Sequence, residues 1–270
     1  MRIFKWLLAT APLALTGCFE GNKNTEQLCE AHSELRCADL NMNDGQCRVA
    51  RTDLIWHRFE ILKQPTEHNK ITEYGLVAEY KKCLELASQI ETIDQTLLKQ
   101  RRFSALMHSI EEEERILGEL LGSNEPETLY FLWSQTGNIN ARRSFLQLEG
   151  SDALNTAEMQ YALATFYTTR DHKKTIKLLN NALTLSNGAT VNTEIFKSLA
   201  SINHSLGNME KAYLWAMVAK QFDVPIASEP ELRVLYPFSN DVYNKLQDDA
   251  DYIVEAIEDG RYQASLVSHR

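Results

Sequence analysis

The sequence predicts an all-α protein built from stacked helical hairpins. Three observations carry that expectation. Apolar residues recur at steps of three and four over long stretches, as they do along one face of an α-helix. No segment alternates apolar and polar residues with a period of two, and glycine is scarce, at 11 in 270 residues. In the second half a helix-turn-helix pattern returns, first at Leu163-Ala164 and then at Leu199-Ala200.

The N-terminal seventeen residues have the three parts of a secretory signal. Arg2 and Lys5 give a basic start, Trp6 to Leu15 an uncharged run, and Ala14, Thr16 and Gly17 a small-residue exit. The run is far shorter than the roughly 20 apolar residues a membrane-crossing helix needs, and Pro12 lies inside it. Residues 18–26 then read as a polar tether without periodicity.

Between these two stretches stands Leu15-Thr16-Gly17-Cys18. It resembles the lipobox of bacterial lipoproteins. The resemblance implies cleavage before Cys18, a diacylglycerol on its thiol and a further acyl chain on the new amino terminus. Each buried methylene contributes roughly 0.8 kcal/mol, and two or more chains hold stably where one does not. In such lipoproteins an Asp after the cysteine tends to keep the protein at the inner membrane. Here the next residue is Phe19, so the resemblance implies the outer membrane of a Gram-negative cell, facing the periplasm.

Residues 27–122 form the next region. Four cysteines remain there, Cys29, Cys37, Cys47 and Cys83, and an even number in an oxidising compartment reads as two disulfides. The absence of a Cys-x-x-Cys pair argues against a zinc knuckle or a thioredoxin-like site. A single helix over 24–40 would place Cys29 and Cys37 about 12 Å apart along its axis, beyond disulfide reach. A turn at His32-Ser33 would instead allow 29–37 with 47–83. The connectivity stays open at this point.

After the turn-type cluster "NMNDGQ", Leu54, Ile55, Phe59 and Leu62 lie at helical spacing, and Pro65-Thr66 closes that helix and opens another. Leu76, Tyr80, Cys83, Ala87, Ile90 and Leu97 continue the pattern, followed in a second register by Phe103, Leu106, Ile110, Leu117 and Leu120. The slip near Arg101-Arg102 leaves open one long helix or two. "EEEE" at 111–114 fans around a helix, so it reads as a solvated face rather than a metal or acid site.

Residues 127–225 carry the repeats. "YALATFYTTRDHKKTIKLLNNAL" (161–183) and "FKSLASINHSLGNMEKAYLWAMVAK" (196–220) share a Leu-small pair, a polar turn and a second helix with a late alanine, Ala182 and then Ala219. "LYFLWSQTGNINARRSFLQL" (129–148) is a more degenerate copy. The pattern resembles the tetratricopeptide repeat, a helical hairpin of about 34 residues. Asn203 departs from it where an aromatic is usual, and Thr175 where alanine is usual. One hairpin cannot cover its own apolar face, so neighbours stack. The resemblance implies a concave surface made by each first helix. By position it would display Glu158, Tyr161, Thr165, Thr168 and Thr169, then Glu194, Lys197, Ser201, His204 and Ser205. Residues 226–270 close the chain with a capping helix. Ser239 or Asn240 begins it, Val242, Leu246, Ile253 and Ile257 give its stripe, and Gly260 ends it.

Removal of Arg2 and Lys5 leaves 26 basic against 37 acidic residues, a net charge of −11. Such an acidic chain is a poor partner for nucleic acid, which needs basic surface to displace counterions. Nothing after Cys18 is a long apolar run, leaving the lipid as the sole membrane attachment. No His-Glu-x-x-His, Gly-x-Ser-x-Gly or phosphate loop occurs, and the seven histidines are scattered singly. No catalytic residue, metal ligand or cofactor is therefore assigned. As a whole the chain resembles an uncharacterised lipoprotein family of gammaproteobacteria, for which no activity is implied. The expected function is a non-catalytic adaptor for a periplasmic or outer-membrane protein. The alternative is an envelope enzyme, for instance one acting on peptidoglycan, with the repeats as scaffold.

Overall fold

The computed structural model describes residues 24–90, 96–188 and 190–268. Cys18 and the expected signal peptide lie outside them. Among the described residues every regular element is helical, and no helix is long and apolar enough to cross a membrane. The helices pack as hairpins in two compact units, with the boundary between Gly118 and Glu119.

In the N-terminal unit, α1 (Thr25–Ala31) starts on a reciprocal cap between Asn24 and Gln27. It stops at Ala31, two short 3-10 turns follow, and Arg36 between them is left-handed at φ 53°. That break brings Cys29 to Cys37, with Cα atoms 5.8 Å apart, and a second bond joins Cys47 to Cys83 at 5.7 Å. The turn alternative therefore holds, and with it this pairing. α2 (Arg48–Lys63) and α3 (Glu67–Ala87) form a hairpin. Thr66 caps α3 by accepting from the Asn69 backbone N–H.

The long helix α4 (Thr96–Leu120) departs from the expected register. Arg102, Ala105, Ser109, Glu112, Ile116 and Leu120 are its buried stripe, at steps of three and four. Phe103 is 58% and Ile110 37% exposed, as are Leu97 and Met107 beside them at 66% and 43%. The acidic run is corrected likewise: Glu111 and Glu114 face solvent, but Glu112 is 3% exposed. The reason is ionic pairing. α4 meets the α2–α3 hairpin through guanidinium and carboxylate groups, so helical spacing of greasy residues did not mark its inner face. In α2 likewise, Arg51 and Arg58 are buried with Leu54 and Ile55, while Leu62 is 45% exposed.

In the C-terminal unit three hairpins follow one another. They are α5 (Pro126–Thr136) with α6 (Ile139–Gln147), α7 (Ala157–Tyr167) with α8 (His172–Leu185), and α9 (Glu194–Ser205) with α10 (Met209–Gln221). The last two coincide with the sequence repeats, and α8 packs on α9. Each turn has its own device. Gly137 ends α5 at φ +69°, Asn138 caps α6, Asp171 caps α8, and Gly207 precedes α10 at φ +77°. Ala164, Ala182, Ala212 and Ala219 are at most 1% exposed, letting neighbouring backbones approach, while Phe196 and Trp215 stack between them. Thr175, in an alanine position, is fully buried because its hydroxyl donates to Asp171 O at 2.9 Å.

After α11 (Glu229–Leu235), α12 (Asn240–Glu258) lies along α10. It buries Leu246, Ile253 and Ile257 and turns off at Gly260, φ +66°. A short α13 (Ser265–Ser268) ends the described chain.

Candidate functional site

The ten residues placed by repeat position lie on α7, α9 and the turns after them, and all are exposed or half-buried. Glu158 opens α7, and Glu194 opens α9, where it pairs with Lys197 at 2.5 Å. Three hydroxyls are spent on their own helices: Thr165 donates to Ala162 O, Thr168 to Ala164 O and Ser205 to Ile202 O. Thr169 and Ser201 stand in solvent, and His204 sets its ring edge-on to Tyr236 at 5.7 Å.

Tyr161 is half-buried on α7. Its phenol is pushed up from the usual value, first by burial and then by neighbouring Tyr130 and the Glu194 carboxylate. The three residues come from α5, α7 and α9, the first helices of successive hairpins. Tyr161 thus feels charge from both neighbouring units, and Tyr130 is a residue that sequence reasoning did not single out. The signal was present: Tyr130 stands two residues before Leu132 as Tyr161 stands two before Leu163. Beyond it, Tyr130, Trp133, Phe145 and Phe166 form a run of ring contacts through the first two hairpins.

The N-terminal unit holds a second chemical feature, also unforeseen. Around Glu112 gather Arg58, Arg115 and Arg36, and Arg58 also binds Glu73 at 2.9 Å and the Leu35 carbonyl at 3.1 Å. Burial alone would raise the Glu112 carboxyl, but the three guanidiniums outweigh it and hold it below the ordinary range. Nearby, Arg102 grips Asp44 with two nitrogens, at 2.5 and 3.0 Å, and lowers its pKa. The same turn is braced by Arg51, which donates to the Asn41 and Asp44 carbonyls, and by Tyr80, which donates to Asn41 Oδ1 at 2.6 Å. Burial pushes that phenol up to about 12. These charges are paired and hydrogen-bonded, an arrangement that fixes a turn and a helix rather than offering a reactive acid.

A family model described as Protein of unknown function (DUF2989) matches residues 15–217. The chain belongs to that family. The DUF2989 match takes in Leu15 to Cys18, all four paired cysteines and the three hairpins as far as Met217 on α10. No curated protein and no solved structure matches the chain.

Proposed function

We propose that this DUF2989 protein is a lipoprotein of the outer membrane, held at its periplasmic face by acylated Cys18, and that it acts as a non-catalytic adaptor. The observation that carries the adaptor reading is the packing of successive hairpins, α5 against α7 and α8 on α9, with exposed and half-buried polar side chains on the first helices α7 and α9. Repeated hairpins that set side chains from several units side by side build an extended surface suited to a protein or peptide partner. Support for the location comes from the Leu-Thr-Gly-Cys box and from two disulfides, bonds that persist in oxidising compartments. The displaced carboxylates of the N-terminal unit, Asp44 and Glu112, are held ionised by arginines. A general acid of an envelope hydrolase needs the opposite displacement.

Two variants test the reading. Cys18→Ser should release the chain from the membrane fraction and remove the acyl mass. A photo-crosslinker at Tyr161 or His204 should capture a discrete envelope protein in cells, and one at Lys245 on α12 should not. Retention of the serine variant with membranes refutes the anchor. Capture at Lys245 alone refutes the surface.

A further inference from the structure

The second helices α8 and α10, Asn203 of α9 and the C-terminal segment line a cleft of about 350 Å³. Lys173 and Lys177, one turn apart on α8, and Lys211 on α10 stand around it. None of the three has an ion pair or hydrogen bond with the described residues, and no carboxylate lines the cleft. That is unexpected in a chain with nine more acidic than basic residues.

The floor is also made of donors. Asn180 and Asn203 are 9% and 3% exposed. Their amide oxygens are engaged, by the Tyr262 hydroxyl and by the Asn208 amide respectively. Each amide nitrogen gives one N–H to its own helix, to Ile176 O at 2.7 Å and Leu199 O at 2.8 Å. Those partners fix the orientation of the amides and leave one N–H of each unmatched among the described residues. Trp215 lines the same cleft at 1% exposure, and its indole N–H has no acceptor among the described residues. An indole N–H can only donate.

We propose that this cleft binds a compact organic anion carrying two or more charges, a phosphate monoester or a polycarboxylate. Its oxygens accept from Trp215, Asn180 and Asn203, and its charge is met by the three ammonium groups, which act on such anions as mobile point charges. The volume lies in the range of small-molecule sites, and Ile176 and Val267 offer apolar wall for a carbon skeleton. This site requires neither the lipid anchor nor the repeat surface, so it stands or falls apart from the adaptor reading.

The test follows the indole N–H of Trp215 in ¹H–¹⁵N spectra of the full chain, its peak assigned by its loss in Trp215→Phe. Glycerol 3-phosphate and citrate are the probes, one for each anion class. Saturable displacement of that peak by at least one of them is expected, and the probe that binds names the class. Each lysine replaced by Gln should weaken binding about tenfold, as loss of a charged hydrogen bond does, while Lys245→Gln should leave it unchanged. Trp215→Phe, which keeps an aromatic ring in the core, should weaken calorimetric binding severalfold. No displacement by either probe at about 10 mM, where even a millimolar site is mostly filled, overturns the proposal. So does unaltered affinity after Lys173→Gln, Lys177→Gln and Lys211→Gln are combined.

Discussion

Glu112 shows how one residue can hold a unit together without adding much net stability. A buried ion pair contributes little over a well-packed apolar pair, yet removal of one partner strands the other and costs about 3–5 kcal/mol. Glu112→Gln removes one of the two carboxylates that meet Arg58, itself 4% exposed, and leaves Glu73, so it should destabilise the N-terminal unit by about 3 kcal/mol, the low end of that range, in urea unfolding at pH 7. The pH response follows from the direction of the displacement. Asp44 and Glu112 titrate lower when folded than their ordinary 3.8 and 4.5. Their contribution is therefore complete above those values and is lost as pH falls through the lower, folded ones. The wild-type unit should weaken steeply on acidification below about pH 4. In Glu112→Gln that decline should be shallower, because one of the two groups no longer titrates. An equal decline in both would remove Glu112 from the account.

Among the elements, the loop between α8 and α9 hangs on Gly188. Its φ is +74°, and an added Cβ would lie 2.2 Å from the Glu258 backbone oxygen at the end of α12. Gly137, at φ +69°, has open space around it. Gly137→Ala should cost about 1 kcal/mol for the backbone conformation alone. Gly188→Ala should cost clearly more, since neither backbone can move aside cheaply, and thermal unfolding of the two variants compares them directly. Sequence spacing made the second-half hairpins legible because alanines at 164, 182, 212 and 219 and the polar turns leave little choice of register. It failed on α4 for an equally specific reason. Arg102 and Glu112 face inward and satisfy partners on α2, α3 and the turn at 41–46, a convergence distant in sequence, while the buried Ser109 donates to Ala105 O of its own helix. Phe103 and Met107 point outward and mislead any reading by hydrophobicity. Within the repeat surface, Tyr161 and Glu194 were accessible from repeat position, whereas Tyr130 sat in the copy most eroded. The basic cleft left no local signature, because its lysines and asparagines come from three helices, α8, α9 and α10, and its fourth wall from the C-terminal segment.

At the scale of the whole chain, covalent reinforcement is one-sided. Both disulfides fall before Gly118, and the C-terminal unit has none. In the chain-entropy account, closing loops of 8 and 36 residues contributes about 2.5 and 4 kcal/mol. Reduction by dithiothreitol should therefore speed amide exchange throughout α2 and α3 and leave α7 to α10 at their oxidised rates. Uniform loosening of both halves would contradict that division. The order of the bonds matters as much as their place. Among the four bonded cysteines each joins its neighbour along the chain, so in a polypeptide emerging from a pore amino end first Cys29 and Cys37 would pair before Cys47 and Cys83 appear. Such a chain needs something to take its electrons and nothing to correct its mistakes. Maturation would then tolerate loss of disulfide shuffling while failing when oxidation itself is withdrawn.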